Sequence, residues 1–263
     1  MKVELIAYTP NPDGLANLCA ETCVSKTIPT IKTSANGLRS LQEALDSRHE
    51  SVIEHASFTF AVSGVSRALT HQLVRHRIAS YSQQSQRYVD MSEATYIIPE
   101  SIDKCLTPAT PDGCPLNIEY VNAIRKCEEV YRKLVDAGVP PGEARYVLPN
   151  ACTTNIIVTM NARSLMNFFA VRCCERAQSE IKELAYRMLE LVKDVAPTIF
   201  ENAGPSCEQL GYCPEKRSCG QIMKLSDMID IVDGIEEESS IRDEQRTAER
   251  ECHRCRNTWS ECR

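Results

Sequence analysis

The sequence predicts a domain of mixed helices and strands, and three observations carry that reading. The segment His55–Gly64 alternates apolar with polar residues and is rich in aromatic and β-branched types, the pattern of a strand with one covered face. Thr153–Met160 is β-branched and reads as a buried strand. Long stretches of helical period occupy much of the rest, above all 117–137 and 177–195. With 263 residues and 43% hydrophobic content, the chain can bury a sizeable core as one large domain or two small ones.

Taken in order, Val3–Tyr8 is a short apolar strand, and Asn11-Pro-Asp-Gly turns the chain into a helix reaching about Cys23. A second helix is expected over Ser34–His49. After the His55–Gly64 strand, Ser66 can cap a helix running to about Arg77, which sets Gln72, Arg75 and His76 on one side. Ala79–Arg87 is polar without a helical period and reads as a loop that could fold over a ligand. The helix over 117–137 ends at Gly138, and Val139-Pro-Pro-Gly punctuates it. Asn161 caps a further helix with Leu165, Phe168 and Phe169 on its apolar stripe. The next position on that stripe is Arg172, a placement that is costly unless something anionic meets it. A last long helix covers Ala177–Val195, and from Gln221 the composition turns acidic and polar, with a solvated linker from Gly234.

Charge narrows the function. The net charge of −6 and pI near 5.5 argue against a general binder of nucleic acid or membrane surface. No apolar stretch approaches a membrane span, and the first residues lack the apolar core of a signal peptide, so a cytoplasmic protein is expected. Fourteen cysteines in such a compartment are expected as free thiols. Against this acidic background, His55–Val89 contains no Asp or Glu, although the 36 acidic residues of the chain would put about five there by proportion. The same window holds Arg67, Arg75, Arg77, Arg87, His55, His71 and His76, a surface suited to an anion because guanidinium forks match phosphate oxygens.

No Gly-x-Gly and no Gly-Lys-Ser/Thr occurs, so neither the dinucleotide fingerprint nor a P-loop is present and side chains must hold any phosphate. Arg75, His76, Arg77, Arg87, Arg145 and Arg172 are the candidates. Gln72, Gln83, Gln84, Gln86, Asn161 and Asn167 could read a planar amide such as a uracil or flavin edge. Taken singly, each has a plainer reading: Arg-His-Arg as a solvated helix end, Asn161 as a cap, Arg172 as half of an internal ion pair.

Arg75-His76-Arg77 followed by seven residues and Ser85 resembles the signature of the flavin-dependent thymidylate synthases. The resemblance extends to Glu54-His55-Ala-Ser-Phe-Thr-Phe, Tyr81-Ser-Gln-Gln-Ser-Gln-Arg-Tyr88, Ala144-Arg145-Tyr-Val-Leu-Pro149 and Asn161-Ala-Arg-Ser-Leu-Met-Asn167, with Arg172 five residues on. It covers roughly residues 1–220 and leaves 221–263 as an acidic, cysteine-containing extension of unknown role. It implies an α+β fold, a twisted antiparallel β-sheet flanked by helices, assembled as a homotetramer with active sites shared between subunits. It also implies methylation of dUMP to dTMP, with 5,10-methylenetetrahydrofolate as carbon donor and FAD reduced by NADPH. Residue by residue, Ser57, Arg75, His76, Arg77, Gln83, Asn161, Ala162, Arg163 and Asn167 would meet FAD. Gln72, Leu73, Val74, Arg75, Gln83, Gln84, Ser85, Gln86, Arg87, Arg145 and Arg172 would hold dUMP, with Arg172 polarising the uracil. Some family members carry Glu where this chain has Gln83. Ser85 is expected to bind rather than attack, since no His–Asp pair marks it as an activated nucleophile.

A reading of another class is a single-stranded RNA-binding module with Tyr81 and Tyr88 stacking bases; the acidic total charge and 6% aromatic content stand against it. No metal is assigned. Cys207, Cys213 and Cys219, and Cys252, Cys255 and Cys262 with His253, leave a structural zinc or iron–sulfur site open beside free thiols.

Overall fold

The computed structural model describes residues 1–32, 37–108, 114–226 and 228–229. Its elements run β1 (Lys2–Tyr8), α1 (Pro12–Thr22), α2 (Arg39–Asp46), a 3-10 turn (Glu50–His55), β2 (Ser57–Ser66), α3 (Arg67–Leu73), β3 (Ser80–Gln83), α4 (Glu100–Asp103), α5 (Leu116–Asp136), α6 (Pro141–Ala144), a 3-10 turn (Arg145–Val147), β4 (Thr153–Asn161), α7 (Ala162–Arg172), α8 (Ser179–Val195) and α9 (Ser206–Leu210). The chain forms one compact unit over Met1–Pro205 and a second that begins at Ser206.

The four strands form one sheet in the order β1-β2-β4-β3, every neighbour antiparallel. This is the expected α+β arrangement. Period-two alternation explains which face is covered: Phe58, Phe60 and Val62 of β2 and Ile156, Val158 and Met160 of β4 are buried, while Asn155 and Ile157 between them are exposed. That face packs on Leu165, Phe168 and Phe169 of α7 and on Ile181, Leu184, Met188 and Val192 of α8. Phe58, Phe168, Phe169 and Phe200 meet edge to face at ring separations of 5.4 to 6.0 Å. Truncating any of these rings to Ala should cost about 3–5 kcal/mol, since each is fully buried. The register of β2 slips between Val62 and Val65, where Gly64 has φ +67°, so the bulge relies on a residue without a side chain. A smaller core of Met91, Tyr131, Ala144 and Cys152 fastens α5 and α6 to the chain around β4.

Several boundaries depart from the sequence reading. Ser80–Gln83, expected as loop, is an edge strand paired through its backbone with Ile156–Thr159. An edge strand needs main-chain partners rather than an apolar alternation, so Ser-Tyr-Ser-Gln carries no periodic signal. Helix α3 stops at Leu73, short of Arg77, and α2 stops at Asp46 because Arg48 adopts φ +57°. The expected start of α2 at Ser34 lies outside the described residues. Asn161 caps α7 as expected, accepting from Ser164 N at 2.8 Å, and Asn11, in the turn before α1, also caps its helix by accepting from Gly14 N at 3.2 Å. Among the described residues no helix is long and apolar enough to cross a membrane.

Candidate active site

The sequence motifs assemble at the two ends of α3. At its N-terminus Ser66 caps the helix by accepting from Leu69 N at 3.0 Å. Glu180 of α8 in turn accepts from Ser66 N at 2.7 Å and from its hydroxyl at 2.6 Å. This pairing with a carboxylate near the helix start suits the helix dipole and anchors α3. At seven residues, α3 is roughly 10 Å long, so groups beyond its two ends sit on different parts of the surface.

Beyond the C-terminal end, Arg75, His76 and Arg77 lead away from the helix. His76 Nε2 lies 2.8 Å from the Ser164 carbonyl in the first turn of α7, and its ring packs against Phe168 with centroids 5.4 Å apart. A carbonyl only accepts, so Nε2 carries the proton and Nδ1 is left as an acceptor. Burial lowers the His76 pKa below the usual imidazole range; the Ser164 carbonyl works against this shift and the charge of Arg172 adds to it. His76 is therefore a neutral ring of fixed tautomer.

The same region collects the sheet ends. Ser57, exposed at the start of β2, is the register partner of Asn161 at the end of β4. Ala162 is fully buried and its N–H donates to the Ala56 carbonyl at 2.8 Å, so neither its side chain nor its N–H is open to a ligand. Arg163 and Asn167 are exposed on α7, and Arg172, half-buried, ends that helix. The acid-free window of the sequence does not translate into an acid-free site. Arg163 pairs with Glu54 and lies 3.6 Å from Glu50, both from the 3-10 turn that precedes the window.

The N-terminal half of α3 faces a second group. Arg67, His71, Gln86, Arg145, Pro149 and Asn150 line a cleft of about 280 Å³ together with Tyr146 and Leu148. Burial first, and then the field of Arg145, lowers the pKa of the Arg67 guanidinium. Its hydrogen bond in the chain is a long one, from Nη1 to the Gln84 carbonyl at 3.3 Å. Two guanidinium groups thus meet in a part-buried cleft, an arrangement whose field favours negative charge. Arg145 Nε donates to the Gly142 carbonyl at 3.1 Å, and a Cβ on Gly142 would lie 3.5 Å from Arg87 Cγ, so Arg87 stands beside Arg145. Gln86 is buried with Nε2 3.7 Å from the Cys152 sulfur. Arg67 and His71 were absent from the residue set carried by the motifs; their i, i+4 spacing on α3 was the signal available.

Other expected residues point elsewhere. Gln83 Nε2 donates to Thr70 Oγ1 at 2.9 Å and approaches Thr154 Oγ1 at 3.4 Å, an inward orientation between α3 and β4. Ser85 Oγ accepts from Arg87 N at 3.2 Å in a tight turn. Leu73 is fully buried and Val74 exposed, and Gln72, Gln84 and Ser85 are half-buried. Tyr81 is half-buried with its hydroxyl engaged, which removes one of the two rings the RNA-binding reading required; Tyr88 is exposed, 5.6 Å from the Arg87 guanidinium.

A profile of the family described as thymidylate synthase complementing protein matches residues 4–198. The chain belongs to that family. It is 49% identical over 232 residues to the flavin-dependent thymidylate synthase of Geobacter sulfurreducens, covering 86% of this chain and 96% of that one. It is 46% identical over 248 residues to that of Clostridium tetani, covering 86% and 95%, and 44% identical over 230 residues to that of Pyrococcus horikoshii, covering 82% and 90%. The protein is thus an enzyme of the flavin-dependent thymidylate synthase class. Among the described residues no three His, Cys, Asp or Glu side chains are arranged to hold a metal. Cys213 is a buried and Cys219 an exposed free thiol, whereas Cys252, Cys255, Cys262 and His253 lie outside the described residues.

Proposed function

We propose that the protein forms dTMP from dUMP, taking the methylene of 5,10-methylenetetrahydrofolate and using FAD reduced by NADPH. The observation that carries this reading is the pair of cationic groups at the two ends of α3. One holds a neutral acceptor, His76, beside the N-terminus of α7; the other holds Arg67 and Arg145 in a cleft with no carboxylate among its lining residues. The first fits FAD. The N-terminus of an 11-residue helix favours a phosphate, Arg75 and Arg77 add charge, Arg163 offers a fork shared with Glu54, and Asn167 is exposed on the same helix. FAD, when bound, supplies the hydride.

The chain's own groups bind and polarise. Nδ1 of His76 accepts from a ring N–H, the planar fork of Arg172 pairs with uracil oxygens and stabilises negative charge developing there, and the Arg67–Arg145 cleft takes the phosphate of dUMP. Gln86 and Ser85 orient the nucleotide. Gln83 must turn from Thr70 to join them. The distribution of these residues over two groups supports a homotetramer whose sites draw on more than one subunit; the acidic, signal-free sequence supports work in the cytoplasm.

Equilibrium dialysis of the folded protein against FAD, followed by an assay of dTMP from dUMP with the folate and NADPH, tests the reading. FAD binding with product formation is expected. A colourless protein that takes up no FAD and binds RNA with a steep salt dependence would replace the enzyme by the RNA-binding reading.

A further inference from the structure

Tyr81 is polar, half-buried and outside the residues assigned above, yet it is tied to them. It sits in β3, paired in register with Val158, and its hydroxyl reaches back to the end of α3. There it donates to the Leu73 carbonyl at 2.8 Å and lies 3.1 Å from the His76 carbonyl. The Leu73 carbonyl also accepts from His76 N at 3.0 Å, so one oxygen gathers the helix terminus, the turn and the tyrosine. Burial pushes the Tyr81 phenol up to about 12, against the lowering field of Arg77, so the hydroxyl remains a donor throughout the working range of pH.

The consequence is geometric. Helix α3 has no glycine or proline at its end to stop it, and Arg75 and Arg77 flank the neutral His76 beyond it. The Tyr81 hydroxyl fixes the turn Leu73–His76 in one conformation, and the Ser164 carbonyl then fixes the His76 ring 2.8 Å away. Without the hydroxyl, two carbonyls of the turn lose a shared donor in a place where water enters only in part.

We infer that Tyr81 is a positioning residue: its hydroxyl clamps the Leu73 and His76 carbonyls and thereby holds His76 and Arg77 in the orientation that receives the flavin. The flavin part rests on the function proposed above, while the clamp itself can be read in the protein without ligand.

The experiment uses the full chain and Tyr81→Phe, which removes only the hydroxyl. In the protein without ligand, NMR titration of the His76 ring should show its pKa rising toward the ordinary imidazole value as the ring loses its fixed, part-buried setting. The FAD dissociation constant should rise at least tenfold, and the circular dichroism of the bound flavin should change. Replacing Tyr81 by 4-aminophenylalanine, which keeps a donor, should recover most of the affinity. Asp13→Asn serves as the comparison for general loss of stability, because Asp13 accepts from Thr198 N and Ile199 N, remote from α3; its FAD affinity should stay within twofold of wild type. In wild type, the His76 amide should exchange with solvent as slowly as amides inside α3, a measurement that needs no variant. An unchanged His76 titration with unchanged FAD affinity in Tyr81→Phe, or fast exchange of the wild-type His76 amide, overturns the clamp. A wild-type protein that shows the clamp but binds no FAD would instead overturn the functional reading.

Discussion

Replacing Arg67 by glutamine separates two kinds of residue that a stability measurement alone would confuse. An arginine that holds the fold together should cost stability when removed. An arginine held in readiness for an anion should cost little, because the protein without ligand already bears the desolvation of the cation and its repulsion with Arg145. Arg67 loses one hydrogen bond, to the Gln84 carbonyl at 3.3 Å, and glutamine keeps much of the packing of the side-chain stem. The loss of that bond, about 0.5–1.5 kcal/mol, opposes the relief of repulsion. The expected change in unfolding free energy is therefore within about 1 kcal/mol of zero, the ordinary range for a substitution without a strong structural role. Binding of dUMP is another matter. A hydrogen bond to a charged group contributes about 1.5–3 kcal/mol, so losing the one from Arg67 to the phosphate should weaken dUMP roughly ten- to 150-fold. Isothermal titration calorimetry at two salt concentrations, with chemical denaturation of the protein without ligand, measures both quantities. The variant should also show a shallower dependence of affinity on salt. Unchanged dUMP affinity together with a stability loss above about 2 kcal/mol would refute the anion cleft and make Arg67 a structural residue.

Three further outcomes are expected. Arg172→Lys keeps the charge but loses the planar fork, so turnover of dUMP should fall more than tenfold, about 1.4 kcal/mol in barrier, while stopped-flow reduction of bound FAD by NADPH in the absence of dUMP changes much less; equal slowing of both would place Arg172 in flavin binding or structure. Ser85→Ala loses a turn contact to Arg87 N at 3.2 Å and a hydrogen bond to substrate, so product formation should persist at a reduced rate, and mass spectrometry of the wild-type enzyme should find no dUMP adduct on Ser85 or any cysteine; a trapped adduct at Ser85 with a dead alanine variant would make it a nucleophile. Because the folded-state pKa of His76 lies below its unfolded value near 6.5, the unfolded chain takes up the proton more readily. The stability this residue contributes is complete above that pH and is lost as pH falls toward the folded pKa. Thermal unfolding from pH 8 to pH 5 should show a loss that His76→Asn lacks, and parallel curves for the two proteins would count against the buried neutral ring.

Much of this protein was legible without coordinates. Alternation in His55–Gly64 and the β-branched run in β4 fixed two central strands and the face they cover, because a side-chain period of two leaves one way to bury a sheet. The cap at Asn161 was readable for a similarly local reason, a side-chain oxygen within reach of its own helix. The motif residues were legible as a set, since their spacing and order do not depend on the path between them. What the sequence could not supply were relations set by distant parts of the chain. β3 exists through backbone pairing with β4, more than 70 residues later, and leaves no periodic trace in its own four residues. Glu50 and Glu54 were counted outside the cationic window, yet the path from β2 to α7 brings them to Arg163. The Tyr81 hydroxyl reaches the end of α3, and Arg67 comes to line one cleft with Arg145, only once the chain is folded. Local propensity and periodicity act over a few residues and are written in them, whereas charge environment and edge pairing depend on separations in space that only the folded chain creates.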